Sequence, residues 1–248
     1  MEGAGRERSI GVSIRLPFEQ GANPVIAGDE KSVSMKYFFT RKLMLVKESR
    51  AFVCLPGGFG TLDETFELLT LLQTGKAAPA PIVLLDVPGG GYWHAFEGFI
   101  ATEVVGRGLA GPYDLDLCRV TDDVATATGE VLGFYRNYHS IRWVGARLVV
   151  RLRAAPEPAE LEALARAFAD ICARGTIEAS VPLPSEVDDD DHVDLPRLVF
   201  EFDRLNYGRL RALIDAVNHL PSAPPLALPH PDSARAAASL PADGDGGG

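Results

Sequence analysis

Short apolar runs alternate along the first half of the chain with longer stretches in which apolar residues recur every three or four positions. Ser9–Leu16 (SIGVSIRL) reads as a strand, and Met35–Glu48, apolar at 35, 38, 39, 43 and 46, as a helix. Ala51–Leu55 is a short buried strand. A helix follows over Leu62–Gln73, with Gly75 where a C-terminal stop belongs. Pro81–Asp86 (PIVLLD) is another buried strand, after which PGGGYW turns into a helix over Trp93–Val105. Arg119–Thr121 is a weak strand, and Asp122 or Asp123 caps a helix running to about Tyr138. Strands alternating with helices imply crossover units and a parallel sheet. In such sheets ligands sit at the carboxyl ends of the strands, near a change of strand order.

The pattern changes after about residue 145. Leu148–Leu152 and Leu198–Phe202 read as strands, Ala159–Cys172 and Tyr207–Val217 as helices. The strand-then-helix order occurs twice, over Leu148–Leu161 and Leu198–Leu210, and suggests a small α+β module of two related halves. Asp188–Asp191 is most simply a solvated loop, with metal binding as the other reading. From Pro221 the chain is Pro, Ala, Ser and Gly and reads as a disordered tail. The expected organisation is therefore 1–144, 145–220 and a tail over 221–248.

Composition narrows the function. A chain of 248 residues, 46% hydrophobic, makes one generous domain or one domain plus a small module. No apolar run reaches the roughly 18–20 residues that span a membrane, and MEGAGRERSI lacks the apolar region of a signal peptide. A formal charge of −10 and a pI of about 5.0 argue against a nucleic-acid partner. A small anion remains within reach of a few local donors. Cys54, Cys118 and Cys172 match no metal spacing. Cys54 in a strand and Cys172 on a helix face read as buried free thiols, which suits a reducing cytoplasm.

The chemistry concentrates in LPGGFGTLDE, residues 55–64. Gly57, Gly58 and Gly60 can take backbone angles closed to other residues and leave no side chain in the way. A strand, a glycine turn and a helix start together make an anion site, so a phosphate-bearing ligand is expected. The pattern is neither a Walker loop nor G-x-G-x-x-G. Thr61 and Glu64 also fit a capping box, in which both side chains satisfy free amides at a helix start, and the glycines could be a plain tight turn. Just upstream, Arg41 and Lys42 sit on an otherwise apolar helix. They are either solvated or aimed at the same ligand, since arginine holds planar oxyanions with two bonds.

Arg41-Lys42 followed by Pro56-Gly57-Gly58-Phe59-Gly60-Thr61-Leu62-Asp63-Glu64 resembles the Lonely Guy family of nucleoside 5′-monophosphate phosphoribohydrolases, often mislabelled lysine decarboxylases. The resemblance covers about residues 9–140, and FYRNYHS (134–140) extends it toward 220 through a longer bacterial branch. It implies hydrolysis of the N-glycosidic bond of a nucleotide to free base and ribose 5-phosphate. By the same carry-over Arg41 and Glu64 are the catalytic pair, Gly57, Gly58, Gly60 and Thr61 hold the 5′-phosphate, and Lys42 supports the site. It further implies a homodimer, an AMP-like substrate or a cytokinin precursor, and no cofactor or metal. Family members begin with further strand–helix units and an upstream glycine-rich loop, so a chain starting at MEGAGRERSIG is expected to lack the first part of the sheet and to leave an edge uncovered.

The chemistry is coherent without the family. Departure of a base builds positive charge on the ribose, which a carboxylate can stabilise while it positions or deprotonates water. Arg41 cannot readily give up a proton and would orient Glu64 or the ligand. His139 reads as a helix-terminal or packed histidine. Gly89–Gly91 form a second glycine turn at the same end of the sheet, and Tyr92, Trp93 and Phe96 read as core. G-x-S-x-G, HExxH and CxxC are absent from the sequence. The expected fold is α/β, a Rossmann-like, mostly parallel sheet with flanking helices plus a small C-terminal α+β module. The expected function is nucleotide phosphoribohydrolase. The alternatives are a non-catalytic nucleotide-binding or regulatory protein of the same fold, and phosphoribosyl transfer.

Overall fold

The computed structural model describes residues 4–14 and 24–226. Gly11–Ile14 (β1) runs parallel to Ser32–Met35 (β2), with Gly11 opposite Ser32. The end of the expected first strand, residues 15 and 16, and the expected tail from 227 on lie outside the described residues, while 221–226 are held on the body through the Ser222 N–H and the Pro224 carbonyl and are not part of a disordered tail. Met35 closes β2 instead of opening a helix, because Val33 and Met35 alternate with serines and make a strand too short to stand out. The helix itself, α1, is Phe38–Glu48.

Three apolar runs form the main parallel sheet. Phe52–Cys54 (β3), Ile82–Leu85 (β4) and Cys118–Thr121 (β5) lie in the order β3-β4-β5. Ile82, Val83 and Leu84 on the central strand are fully buried, as a strand covered on both faces requires. Phe59–Gln73 (α2) and Tyr92–Phe99 (α3) supply Leu68, Leu72 and Trp93 to the core around β4. A π-helical turn, Ile100–Val105, prolongs α3 to the end expected for that helix. Gly75 does stop α2, with φ of 64°, and a Cβ there would lie 2.0 Å from the Tyr207 hydroxyl oxygen. Val124–Phe134 (α4) is capped by Asp123, whose carboxylate accepts the Thr126 N–H at 2.7 Å. It ends short of Tyr138 because Asn218 Oδ1 accepts the N–H groups of Asn137 and Tyr138, both at 2.8 Å, and so draws the chain into a strand.

That strand, Tyr138–Val144 (β6), belongs to a second, antiparallel sheet. Its partners are Arg147–Leu152 (β7), Cys172–Ser180 (β8) and Arg197–Phe202 (β9), in the order β6-β7-β9-β8. Pro158–Ala167 (α5) and Tyr207–Asn218 (α7) cover the face that carries Leu148, Val150, Leu198 and Phe200. Each half is thus strand–strand–helix, and the strand-then-helix repeat is its second part. Cys172 opens β8 and is not on a helix face. All three cysteines are free thiols, and burial pushes the Cys118 thiol up to about 12.

The acidic run is the expected solvated segment only in part: Asp188, Asp189 and Asp190 are exposed, but the run is held by ion pairs. Asp188 ends the short helix Pro184–Asp188 (α6), and Asp189 and Asp191 both pair with Arg142. Asp191 also meets Arg151 at 2.7 Å. Beneath them Glu186 is fully buried between Arg151 and Arg197, each 2.7 Å away.

Candidate functional site

The chain leaves β3 at its carboxyl end, turns through Pro56–Gly58 and enters α2 at Phe59, with Gly58 as N-cap and no side-chain cap. The helix therefore begins three residues before the expected Leu62. Thr61 and Glu64 become the third and sixth residues of α2, and the capping-box reading of T-x-x-E is excluded. The glycines act differently from expectation too. None of Gly57, Gly58 and Gly60 has a positive φ. A Cβ on Gly57 would lie 2.2 Å from Thr61 Oγ1, so the bare backbone lets the threonine pack against the turn. Gly58 and Gly60 face open space within 4 Å, and the first amides of α2, which have no partner within a helix, lie beside them.

Freed from capping, Glu64 reaches across to α1. Its Oε1 accepts a hydrogen bond from Arg41 Nη2, while Oε2 has no partner among the described residues. The Glu64 side chain keeps 32% exposure, so the carboxylate is held yet open to solvent. Arg41 Nε is buried without a hydrogen-bond partner among the described residues. Lys42 also bridges the helices, with Nζ 2.6 Å from Asp63 and 2.9 Å from Glu67. Hydrogen bonds to Asp63 and then Glu67 push its ammonium above the ordinary lysine value. A cleft of about 430 Å³ runs along β3 between α1 and α2, lined by Lys42, Thr61, Glu64, Glu67 and the strand from Ala51 to Pro56. The seven expected site residues thus gather around one end of β3.

The second glycine turn stands at the same end and touches the first. Tyr92 Oη donates to the Gly57 carbonyl at 2.7 Å. Asp86, at the end of β4, accepts the Val87 N–H at 2.8 Å and the Trp93 N–H at 3.3 Å. Asp122, just past β5, accepts the Gly89 N–H at 2.9 Å. A Cβ on Gly90 would meet Asp86 Oδ1 at 2.3 Å. Trp93 is core as expected, with Tyr92 and Phe96 half-buried and packed against it, and Tyr92 also fastens the two turns together. From sequence Tyr92 is only core, Asp122 only a candidate cap and Asp86 only a strand end; the signal for their place at the turns is an acid directly after each of two apolar strands. His139 lies elsewhere, second in β6 and not at a helix end, its ring 4.5 Å from that of His192.

The family model described as possible lysine decarboxylase matches residues 1–131. A probable cytokinin riboside 5′-monophosphate phosphoribohydrolase of Arabidopsis thaliana is 38% identical over 96 residues, 39% of this chain and 45% of that protein. A second Arabidopsis cytokinin riboside 5′-monophosphate phosphoribohydrolase is 33% identical over 108 residues, 44% of this chain and 48% of that protein. A probable enzyme of the same description from Oryza sativa subsp. japonica is 33% identical over 96 residues, 39% of this chain and 37% of that protein. The matches span about half or less of the length of these curated relatives.

Proposed function

The chain belongs to the Lonely Guy family, and on that premise we propose that it is a nucleoside 5′-monophosphate phosphoribohydrolase. In this reading water adds its hydroxyl to C1′ of the ribose, the C1′–N bond breaks, and the base leaves with a proton. The observation that carries it is the Arg41–Glu64 pair, because Glu64 has no capping duty and offers a free oxygen beside the glycine turn. Glu64 stabilises the cationic sugar and positions or deprotonates the water. Arg41 holds Glu64 aimed through their hydrogen bond. Gly57, Gly58, Gly60 and Thr61 hold the 5′-phosphate at the positive end of α2, as helix N-termini do. Lys42 supports the site by locking α1 to α2.

Decarboxylation, the activity in the family description, does not fit these residues. A pyridoxal cofactor needs a lysine whose amine can become neutral and form a Schiff base. Lys42, the lysine lining the cleft, is held as an ammonium by two carboxylates.

The substrate in this reading is an AMP-like nucleotide, with cytokinin riboside monophosphates, named for the relatives, as candidates of equal standing. The active species is a homodimer, and exposed Phe59, Phe66 and Phe99 offer the apolar surface for it. Incubation with AMP and a labelled second base tests the reaction. Free adenine with ribose 5-phosphate supports hydrolysis. A labelled nucleotide would mean transfer, and bound but intact AMP a binding protein.

A further inference from the structure

A second cleft, of about 520 Å³, opens where the segment before β3, the end of α4 and the residue after β7 meet. Arg50, Arg136 and Arg153 line it together with Tyr135. Backbone and ring contacts fix all three arginines. The Arg50 guanidinium lies 5.4 Å from the Tyr135 ring centroid, and Tyr135 Oη donates to the Arg50 carbonyl at 2.6 Å. Arg136 Nε donates to the Pro224 carbonyl at 2.6 Å, and Arg153 Nε to that of Tyr135 at 3.1 Å. Among the described residues no carboxylate forms an ion pair with any of the three. Their field reaches β6: burial, then His192, then Arg153 and Arg50 hold the His139 imidazole below its ordinary value.

Three like charges around one cleft repel one another unless an anion joins them. In a chain of net charge −10 that anion must be recognised locally, which suits a small ligand and not a nucleic-acid backbone. Guanidinium groups pair with phosphate through two parallel bonds, and three of them offer more donors than one phosphate can use. We propose that this cleft is a binding site for a small ligand carrying a diphosphate group. Ala51 lines both this cleft and the glycine-turn cleft.

Inorganic pyrophosphate titrated calorimetrically into the full chain tests the site without any use of nucleotide hydrolysis. The wild type binds it, and binds orthophosphate at least tenfold more weakly. Arg50→Gln and Arg153→Gln each weaken pyrophosphate about tenfold, the scale of one charge-assisted bond. Arg153→Lys recovers part of that loss, and Gly57→Ala, which disturbs the glycine turn, leaves pyrophosphate affinity unchanged. Arg50 and Arg153 are exposed, so both variants keep the ligand-free melting temperature; Arg136→Gln replaces either if it does not. No binding by the wild type, equal binding of orthophosphate, or glutamine variants that bind as the wild type does would overturn the site. Loss in Gly57→Ala alone would do the same by putting the anion in the glycine turn.

Discussion

Gly57 illustrates how one missing carbon organises the site. Its Cβ position is occupied by the Thr61 side chain, with Oγ1 at 2.2 Å, so alanine there must push Thr61 aside or open the turn. We expect Gly57→Ala to weaken ribose 5-phosphate binding by about tenfold or more, one lost charge-assisted contact, while leaving the fold intact. Titration of ribose 5-phosphate into both proteins checks this, and unchanged affinity would mean Thr61 is not part of the phosphate cradle. Arg41, Lys42, the three glycines, Thr61 and Glu64 could be named as candidates from sequence because they lie within two short stretches. Spacing alone still pointed as readily to a capping box. Only the true start of α2, at Phe59, separates the two readings. Tyr92 was illegible because its partner, the Gly57 carbonyl, is 35 residues away.

At the scale of elements, the buried ion network decides how the antiparallel sheet responds to mutation and acid. Glu186 is fully buried with Arg151 and Arg197, and removing one partner of such a cluster strands charge in the core at about 3–5 kcal/mol. Glu186→Leu is expected to lower unfolding stability by that order, read from urea melts. Burial alone would raise the Glu186 carboxyl, but the Leu183 N–H and the arginines Arg151 and Arg197 outweigh it and hold it low. Hydrogen bonds from Arg142 and then Arg151 hold Asp191 low as well. Both folded values lie below the unfolded ones, so this contribution is complete above the ordinary carboxylate range near 4 and fades as pH falls through the folded values. Acid titration followed by circular dichroism should therefore show Arg142→Gln losing its structure at a higher pH than wild type. Matching curves would mean that the pair is too screened to matter. These ion pairs, like β2, β6 and β8, were hidden in the sequence. SVSM and CARGTIEAS carry too few apolar residues to read as strands, and a run of aspartates reads as solvated until its arginines are brought in from β6 and β7.

For the whole molecule, strand–helix alternation was enough to anticipate the parallel sheet and the end of it at which the two glycine turns meet. The second sheet was only half legible, because its order pairs β7 with β9 across some fifty intervening residues. The proposed homodimer is tested at this scale. Phe59 is 93% exposed beside the glycine turn, and an aspartate in its place would disfavour any apolar contact between copies. Light scattering is expected to give a dimer for wild type and a monomer for Phe59→Asp. Equal masses for both would remove Phe59 from the interface.

Glu64 is the proposed reacting carboxylate, and the most direct measurement compares wild type with Glu64→Gln on AMP, recording bound nucleotide and released adenine on the same samples. Glutamine keeps the shape and an oxygen that can accept from Arg41 but loses the charge, and a melting curve of each protein separates folding from chemistry. The expected result is binding within a few-fold of wild type and adenine release lowered by about a hundredfold or more, the scale of a lost general base. Release at the wild-type rate from Glu64→Gln, or bound AMP that neither protein cleaves, would contradict the account.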